Sequence, residues 1–273
     1  MNHLDLVYIF NHIFLHFIGN SNLKLCIILA GLILCSCDAF VTQFENSEEP
    51  VYYVASSLNL DIENPVELKV MTWNIRFGAG RLPWFGDSCG ERVILSESEV
   101  TPTLNKIRDF IQFENPDVLL LQEVDVSSKR TGYLDQVQWI LDNSSFNYGV
   151  YGSMWRADFI PSDGLGKVDV GNVILSKWPI VDAERIQLPL RGDQDKLTQY
   201  FYLRRNVLKA SIILNNENEI YALCTHTTAF ATDDTKKKHI DKFYDILSSL
   251  DPNKIFIAGG DLNALSSSYV GTA

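Results

Sequence analysis

Asn115-Pro116-Asp117-Val118-Leu119-Leu120-Leu121-Gln122-Glu123-Val124-Asp125 is the stretch on which the fold turns. The residue before a proline is pushed out of the helical region, so a helix arriving from upstream stops here. Four apolar residues follow between polar neighbours, too short a run for a helix and right for a buried strand. Upstream, Val100, Leu104, Ile107 and Ile111 recur at helical spacing and predict an amphipathic helix over about residues 97–113. The same sentence is written again near the end of the chain. Ile240, Phe243, Leu247 and Leu250 share one face of a helix over 234–250, with Asp233 or Asp234 placed to cap it. Asp251-Pro252 stops that helix, and a buried strand over 254–259 follows.

Further short apolar runs over 68–73, 149–155, 172–176, 206–214 and 220–225 read as strands, giving seven with the two already quoted. Strands this short need one another, and the two similar helix-to-strand units suggest the halves of one layered object. The expected class is α/β (α+β), a four-layer α/β/β/α sandwich of two packed, mostly antiparallel sheets. A chain of 273 residues, 46% hydrophobic and 21% charged, can bury such a core. Its net charge of −11 argues against a non-specific nucleic-acid binder, which must neutralise phosphates with Lys and Arg. A catalytic cation supplying positive charge locally would relax that argument.

Chemistry is visible where the apolar runs end. Residues 68–73 lead into Asn74, 118–122 into Glu123, 220–224 into Thr225-His226, and 255–260 into Asp261-Leu262-Asn263. If those four ends share one edge, they make a pocket rich in carboxylate and amide oxygen. Such a pocket suits Mg²⁺, with Mn²⁺ or Ca²⁺ as substitutes, because hard cations take oxygen ligands and keep room for water and phosphate. It suits Zn²⁺ poorly, since the globular part offers only His226 and His239 and no thiols at ligand spacing. His239, in the basic run Lys236-Lys237-Lys238, reads as part of a solvated helix face, and Arg204-Arg205 as solvated charge or a phosphate contact. Cys224, in an apolar run, reads as a small core residue.

Five stretches in order resemble motifs of the endonuclease/exonuclease/phosphatase superfamily, with its deoxyribonuclease-I-like fold. They are Thr72-Trp73-Asn74-Ile75, Leu121-Gln122-Glu123-Val124, Gly171-Asn172-Val173-Ile174-Leu175-Ser176, Cys224-Thr225-His226 and Gly260-Asp261-Leu262-Asn263-Ala264. The resemblance implies a Mg²⁺-dependent phosphoester hydrolase acting by in-line displacement at phosphorus. It makes Glu123 the main metal ligand with Asn74 beside it, and Asp261 the group that activates water or helps hold metal. Asn263 would bond the phosphate, His226 would meet the scissile phosphate, and Asn172 would support the site. The substrate would be a nucleic acid, a phospholipid or a small phosphodiester. A non-catalytic phosphate-ligand or nucleic-acid-binding module on the same fold is the other reading. The family pattern continues to a further Asp and an Asp-His pair that these residues do not contain. The expectation is therefore a fragment lacking its last strands, weak or inactive alone, and otherwise monomeric.

Residues 1–37 carry one Lys, an apolar run of about a dozen residues and then Leu34-Cys35-Ser36-Cys37, which resembles a bacterial lipobox. The expectation is a signal segment with lipid on Cys37, holding the protein at the cell envelope, or an uncleaved anchor. Residues 38–66 are acidic and polar and read as a linker, leaving 67–273 as the domain.

Overall fold

The computed structural model describes residues 40–63, 66–84, 90–214 and 218–264. Signal segment, lipobox and Cys37 lie outside the described residues. One five-stranded sheet contains β2 (Val51–Val54), β5 (Tyr148–Ile160), β6 (Gly166–Ser176), β4 (Val118–Asp125) and β3 (Val70–Asn74), in that spatial order. The other contains β1 (Ser47–Glu48), β7 (Ile180–Gln187), β8 (Asn206–Ile213), β9 (Glu219–His226) and β10 (Ile255–Asp261). Every neighbouring pair is antiparallel except β3–β4 and β9–β10.

Those two parallel pairs are the two units read from sequence. A parallel pair needs a crossover. Helix α1 (Glu97–Glu114) crosses from β3 to β4, while α2 (Gln136–Asp142) and α3 (Lys196–Phe201) fall in longer connections. Helix α4 (Thr235–Ser248) crosses from β9 to β10. The apolar stripe of α1 packs on Leu119 and Leu121 of β4, outside the first sheet. Phe243 and Ile246 of α4 pack on Val207 and Leu223, outside the second. Val118, Leu120, Val150 and Ile174 meet Leu208, Ala210, Ala222 and Cys224 between the sheets. Layers therefore run α/β/β/α, as expected. Because β4 is buried on both faces, it reads as a continuous apolar run rather than an alternation.

The acidic segment read as a linker is part of the domain instead. Its β1 and β2 add an outer strand to each sheet, and Val41, Phe44 and Ala55 are buried. Strand β1 is only Ser47-Glu48 and leaves no pattern, but β2 is Val-Tyr-Tyr-Val, a β-branched and aromatic run that does mark a strand despite its acidic surroundings. Strand β7 carries Asp182 and partly buried Glu184 on one face and buried Ala183 and Arg185 on the other, so no apolar run marks it in the sequence. Asp234 takes the cap position of α4 but pairs with Lys238, and Asp233 accepts the Thr235 N–H. Among the described residues no helix is long and apolar enough to cross a membrane.

Candidate active site

Parallel strands point their carboxyl ends the same way, and both parallel pairs end at one edge of the sandwich. Asn74 closes β3, Glu123 lies near the end of β4, and His226 and Asp261 close β9 and β10 in mutual register. The four expected residues come together. Asn74 Nδ2 donates to Glu123 Oε1 and to Asp261 Oδ2, both at 3.0 Å, bridging the two sheets. Its orientation is fixed from behind, because Asn74 Oδ1 accepts the Arg76 N–H at 3.0 Å. Asn74, Asp261 and Asn263 line an open cleft of about 710 Å³ together with Trp73 and Gln122.

Two backbone features aim these groups. A β-bulge between Leu121 and Val124 puts Glu123 at φ +56°, a left-handed conformation that costs a non-glycine residue about 1 kcal/mol or more. Gly260 stands at φ +145°, and a Cβ there would lie 1.9 Å from the Thr225 carbonyl oxygen. Only glycine lets β10 approach β9 closely enough to set Asp261 opposite His226.

His226 is 3% exposed. Burial, then the nearby Arg205 guanidinium, pushes its pKa well below the ordinary imidazole value. It is neutral at physiological pH, and its approaches to Glu123 (3.8 Å) and Asp261 (3.6 Å) are not ion pairs. Nδ1 is buried without a partner among the described residues, while Nε2 faces the carboxylates. An unpaired buried lone pair is the cheaper orphan, so the proton belongs on Nε2 and that N–H is left to donate.

Asn263 sits beside the cleft, but its Nδ2 donates to the Thr227 carbonyl at 3.0 Å, and its main-chain N–H donates to Asp261 Oδ1. One N–H of the amide expected to meet a phosphate holds the loop, and its second N–H is left for the cleft. Asn172 is fully buried and donates to Asn206, a supporting role as expected. Gln122 Nε2 donates to Thr72 Oγ1 and to Cys224 Sγ, a second link across the sandwich. Cys224 is a buried free thiol, as read, and burial pushes its pKa up to about 12.

The solvated readings of Arg204 and His239 fail, while Arg205 stands at the site. Arg204 is buried, its guanidinium donating to Tyr200, Tyr202 and Gln43. Arg205 lies half-buried behind His226, donating to its carbonyl, with Nε unpartnered among the described residues. His239 is 1% exposed, not solvated. Its Nδ1 accepts the Thr228 N–H at 3.2 Å, so the proton is on Nε2, 2.7 Å from the Pro189 carbonyl oxygen. It pins the segment that follows His226. The sequence placed it early on a basic helix, yet His239 stands four residues before Phe243 and seven before Ile246, on the buried stripe, and that spacing was the available signal. Of the lysines, Lys237 and Lys238 pair within the helix, and Lys236 donates to the Asn263 carbonyl.

Burial lowers the His239 pKa from 6.5 in the folded state. Below about pH 6.5 the unfolded chain takes up a proton that the fold refuses, so stability is full above that pH and declines as pH falls. We expect Tm to drop between about pH 7.5 and 5.5, with the drop shallower in His239→Gln. Equal slopes in the two proteins would remove His239 from the account.

The site is chemically suited to a hard divalent ion but is not a preformed cage. Glu123 and Asp261 offer partly exposed carboxylates, and among the described residues no group of three or more His, Cys, Asp or Glu side chains is gathered to hold a metal. One or two carboxylates with open cleft beside them fit Mg²⁺, which keeps waters and takes substrate oxygens.

A profile described as the Endonuclease/Exonuclease/phosphatase family matches residues 71–272. No curated protein sequence matches the chain. Among solved structures, an endonuclease/exonuclease/phosphatase from Beutenbergia cavernae is similar at TM-score 0.51 and 22% identity, over 72% of this chain and 47% of that one. ANGEL2, described as a 2',3'-cyclic phosphatase, is similar at TM-score 0.50 and 15% identity, over 81% of this chain and 57% of that one. A conserved protein of unknown function from Enterococcus faecalis gives TM-score 0.50 at 15% identity, over 73% and 68%. The chain thus spans about half the length of the first of these. At such identities the likeness is one of fold.

Proposed function

The chain belongs to the endonuclease/exonuclease/phosphatase family, and on that premise we propose that it is a Mg²⁺-dependent phosphoester hydrolase of the cell envelope. The observation that carries the reading is the single Asn74 amide shared, at 3.0 Å each, by carboxylates from the two different sheets. No packing need places two carboxylates, a neutral histidine and an amide at one open edge, whereas phosphoryl transfer uses such a set.

Glu123 and Asp261 would hold the cation, which when bound would neutralise charge on the phosphoryl oxygens. The protein groups do the rest. Asp261 takes the proton from a water attacking phosphorus opposite the leaving oxygen. Neutral His226 donates Nε2–H to a phosphoryl oxygen that gains charge as the P–O bond to the leaving group breaks. Asn74 holds the two carboxylates in place.

Net charge of −11 favours a small or lipid phosphodiester over a long nucleic acid. Acylation of Cys37 belongs to the same proposal. The test is a Mg²⁺ titration of the protein followed by Tm and by hydrolysis of bis(p-nitrophenyl) phosphate. The expected result is stabilisation that saturates with Mg²⁺, and hydrolysis, however slow, that EDTA abolishes. A protein that carries the family's further Asp and Asp-His pair and is neither stabilised by divalent ions nor able to cleave the ester is the non-catalytic module, and the proposal is then wrong.

A further inference from the structure

We propose that Arg130 is a positioning residue that sets the geometry of Asn74 and Glu123 from beneath the cleft, an inference resting on the hydrolytic reading of that site. No hydrogen bond joins Arg130 to either residue. It acts on the loops that follow them.

On the β4 side, Arg130 grips Asp125, two residues past Glu123, with Nε at 2.9 Å and Nη2 at 2.7 Å from its two oxygens. Thr131 Oγ1 donates to the same carboxylate at 2.9 Å. Asp125 is fully buried and Arg130 is 3% exposed. Asp125 donates its own N–H to Gln136 Oε1. This holds the strand immediately after the bulge that gives Glu123 its left-handed backbone.

On the β3 side, the Arg130 guanidinium lies 3.9 Å from the Phe77 ring centroid and 5.2 Å from that of Trp84. Gln136 Nε2 donates to the Phe77 carbonyl at 2.7 Å. Phe77 and Arg76 are consecutive non-glycine residues at φ +44° and +49°. Two such residues in a row are unfavourable alone and persist where their surroundings impose them. The turn they make delivers the Arg76 N–H to Asn74 Oδ1, which leaves Asn74 Nδ2 facing the two carboxylates. One buried unit therefore fixes both strand ends that the site depends on.

A plain stability role is the competing account, and buried ion pairs serve it poorly. Apolar groups of similar volume often replace them at no cost, whereas removing one partner leaves an uncompensated charge. The test follows from that asymmetry. Arg130→Met/Asp125→Leu removes the pair without stranding a charge, and Arg130→Lys keeps the charge but loses the fork and the planar stack. Gln136→Met gives a second route, releasing the Phe77 carbonyl and the Asp125 N–H together while both partners of the ion pair stay in the chain. Ile111→Val, in α1, is the control for generic destabilisation.

Two readouts are taken: the Asn74 side-chain NH₂ resonances, assigned by their loss in Asn74→Ser, and Mg²⁺ affinity by calorimetry. In the double variant and in Gln136→Met, the Asn74 pair should move toward the position of a solvated amide. Mg²⁺ affinity should fall about 10- to 100-fold, the size seen when groups behind a metal ligand are removed. Arg130→Lys should recover part of both, and Ile111→Val should change neither. If the Asn74 resonances stay put in the variants, or move as far in the control, the positioning role is overturned. A wild-type protein that ignores Mg²⁺ would defeat the hydrolase reading, while the Asn74 resonances would still decide this one.

Discussion

Glu123→Gln is expected to cut phosphodiester hydrolysis by about 10³-fold and to remove most of the Mg²⁺-dependent rise in Tm. The substitution keeps size and shape but loses the formal charge that a hard cation requires. A bound cation is worth several kcal/mol of transition-state stabilisation, and each 1.36 kcal/mol is a factor of ten, which gives the magnitude. The fold should survive. Glu123 is partly exposed, and a glutamine oxygen can still accept from Asn74 Nδ2. Without metal the variant should be at least as stable as wild type, because Glu123 and Asp261 crowd two negative charges around one amide nitrogen. Loss of Mg²⁺ response with no loss of apo stability separates a ligand from a structural residue. A variant that responds to Mg²⁺ as wild type does would mean the cation binds elsewhere.

Much of this site was legible because buried strands announce themselves and their ends are short in sequence. Val118–Asp125 moves from apolar to Glu123 within a few residues, and Ile255–Asp261 reaches its carboxylate just as abruptly. Both crossover helices were legible from periodicity, because each buries one stripe against a sheet. Position in the sheet did not decide it, since Val70–Asn74 and Ile255–Asp261 are outer strands too and were legible, whereas Ser47–Glu48 is only two residues long. Val51–Val54 carries the β-branched and aromatic residues of a strand, a signal overridden by the acidic residues on either side of it. Charged residues inside the protein were hidden for another reason. Arg130 is covered by the distant Phe77 and Trp84 rings as well as by nearby Asp125, Arg204 reaches Gln43, and His239 meets the main chain of a distant loop. Asn263 shows the limit of a motif. The motif places it on the cleft, and the hydrogen bond that ties one of its amide hydrogens to Thr227 is a fact of loop geometry alone.

Asp261→Asn should separate chemistry from structure in the other direction. The carboxylate accepts from two donors through different oxygens, Asn74 Nδ2 on Oδ2 and the Asn263 N–H on Oδ1. An amide has one oxygen and can satisfy only one of them, so a single charge-assisted bond is lost at a partly exposed site, costing about 1 kcal/mol. If Asp261 takes the proton from the attacking water, kcat should fall about 10²- to 10⁴-fold, the usual worth of a general base, with KM nearly unchanged. Mg²⁺ affinity should fall less than in Glu123→Gln, since Glu123 remains. Combined with Glu123→Gln, the loss should be smaller than the product of the two, because a base gains little once the phosphate it serves is no longer neutralised. A variant with normal kcat and only a small loss of stability would assign Asp261 to the Asn263 turn and leave the water without its base.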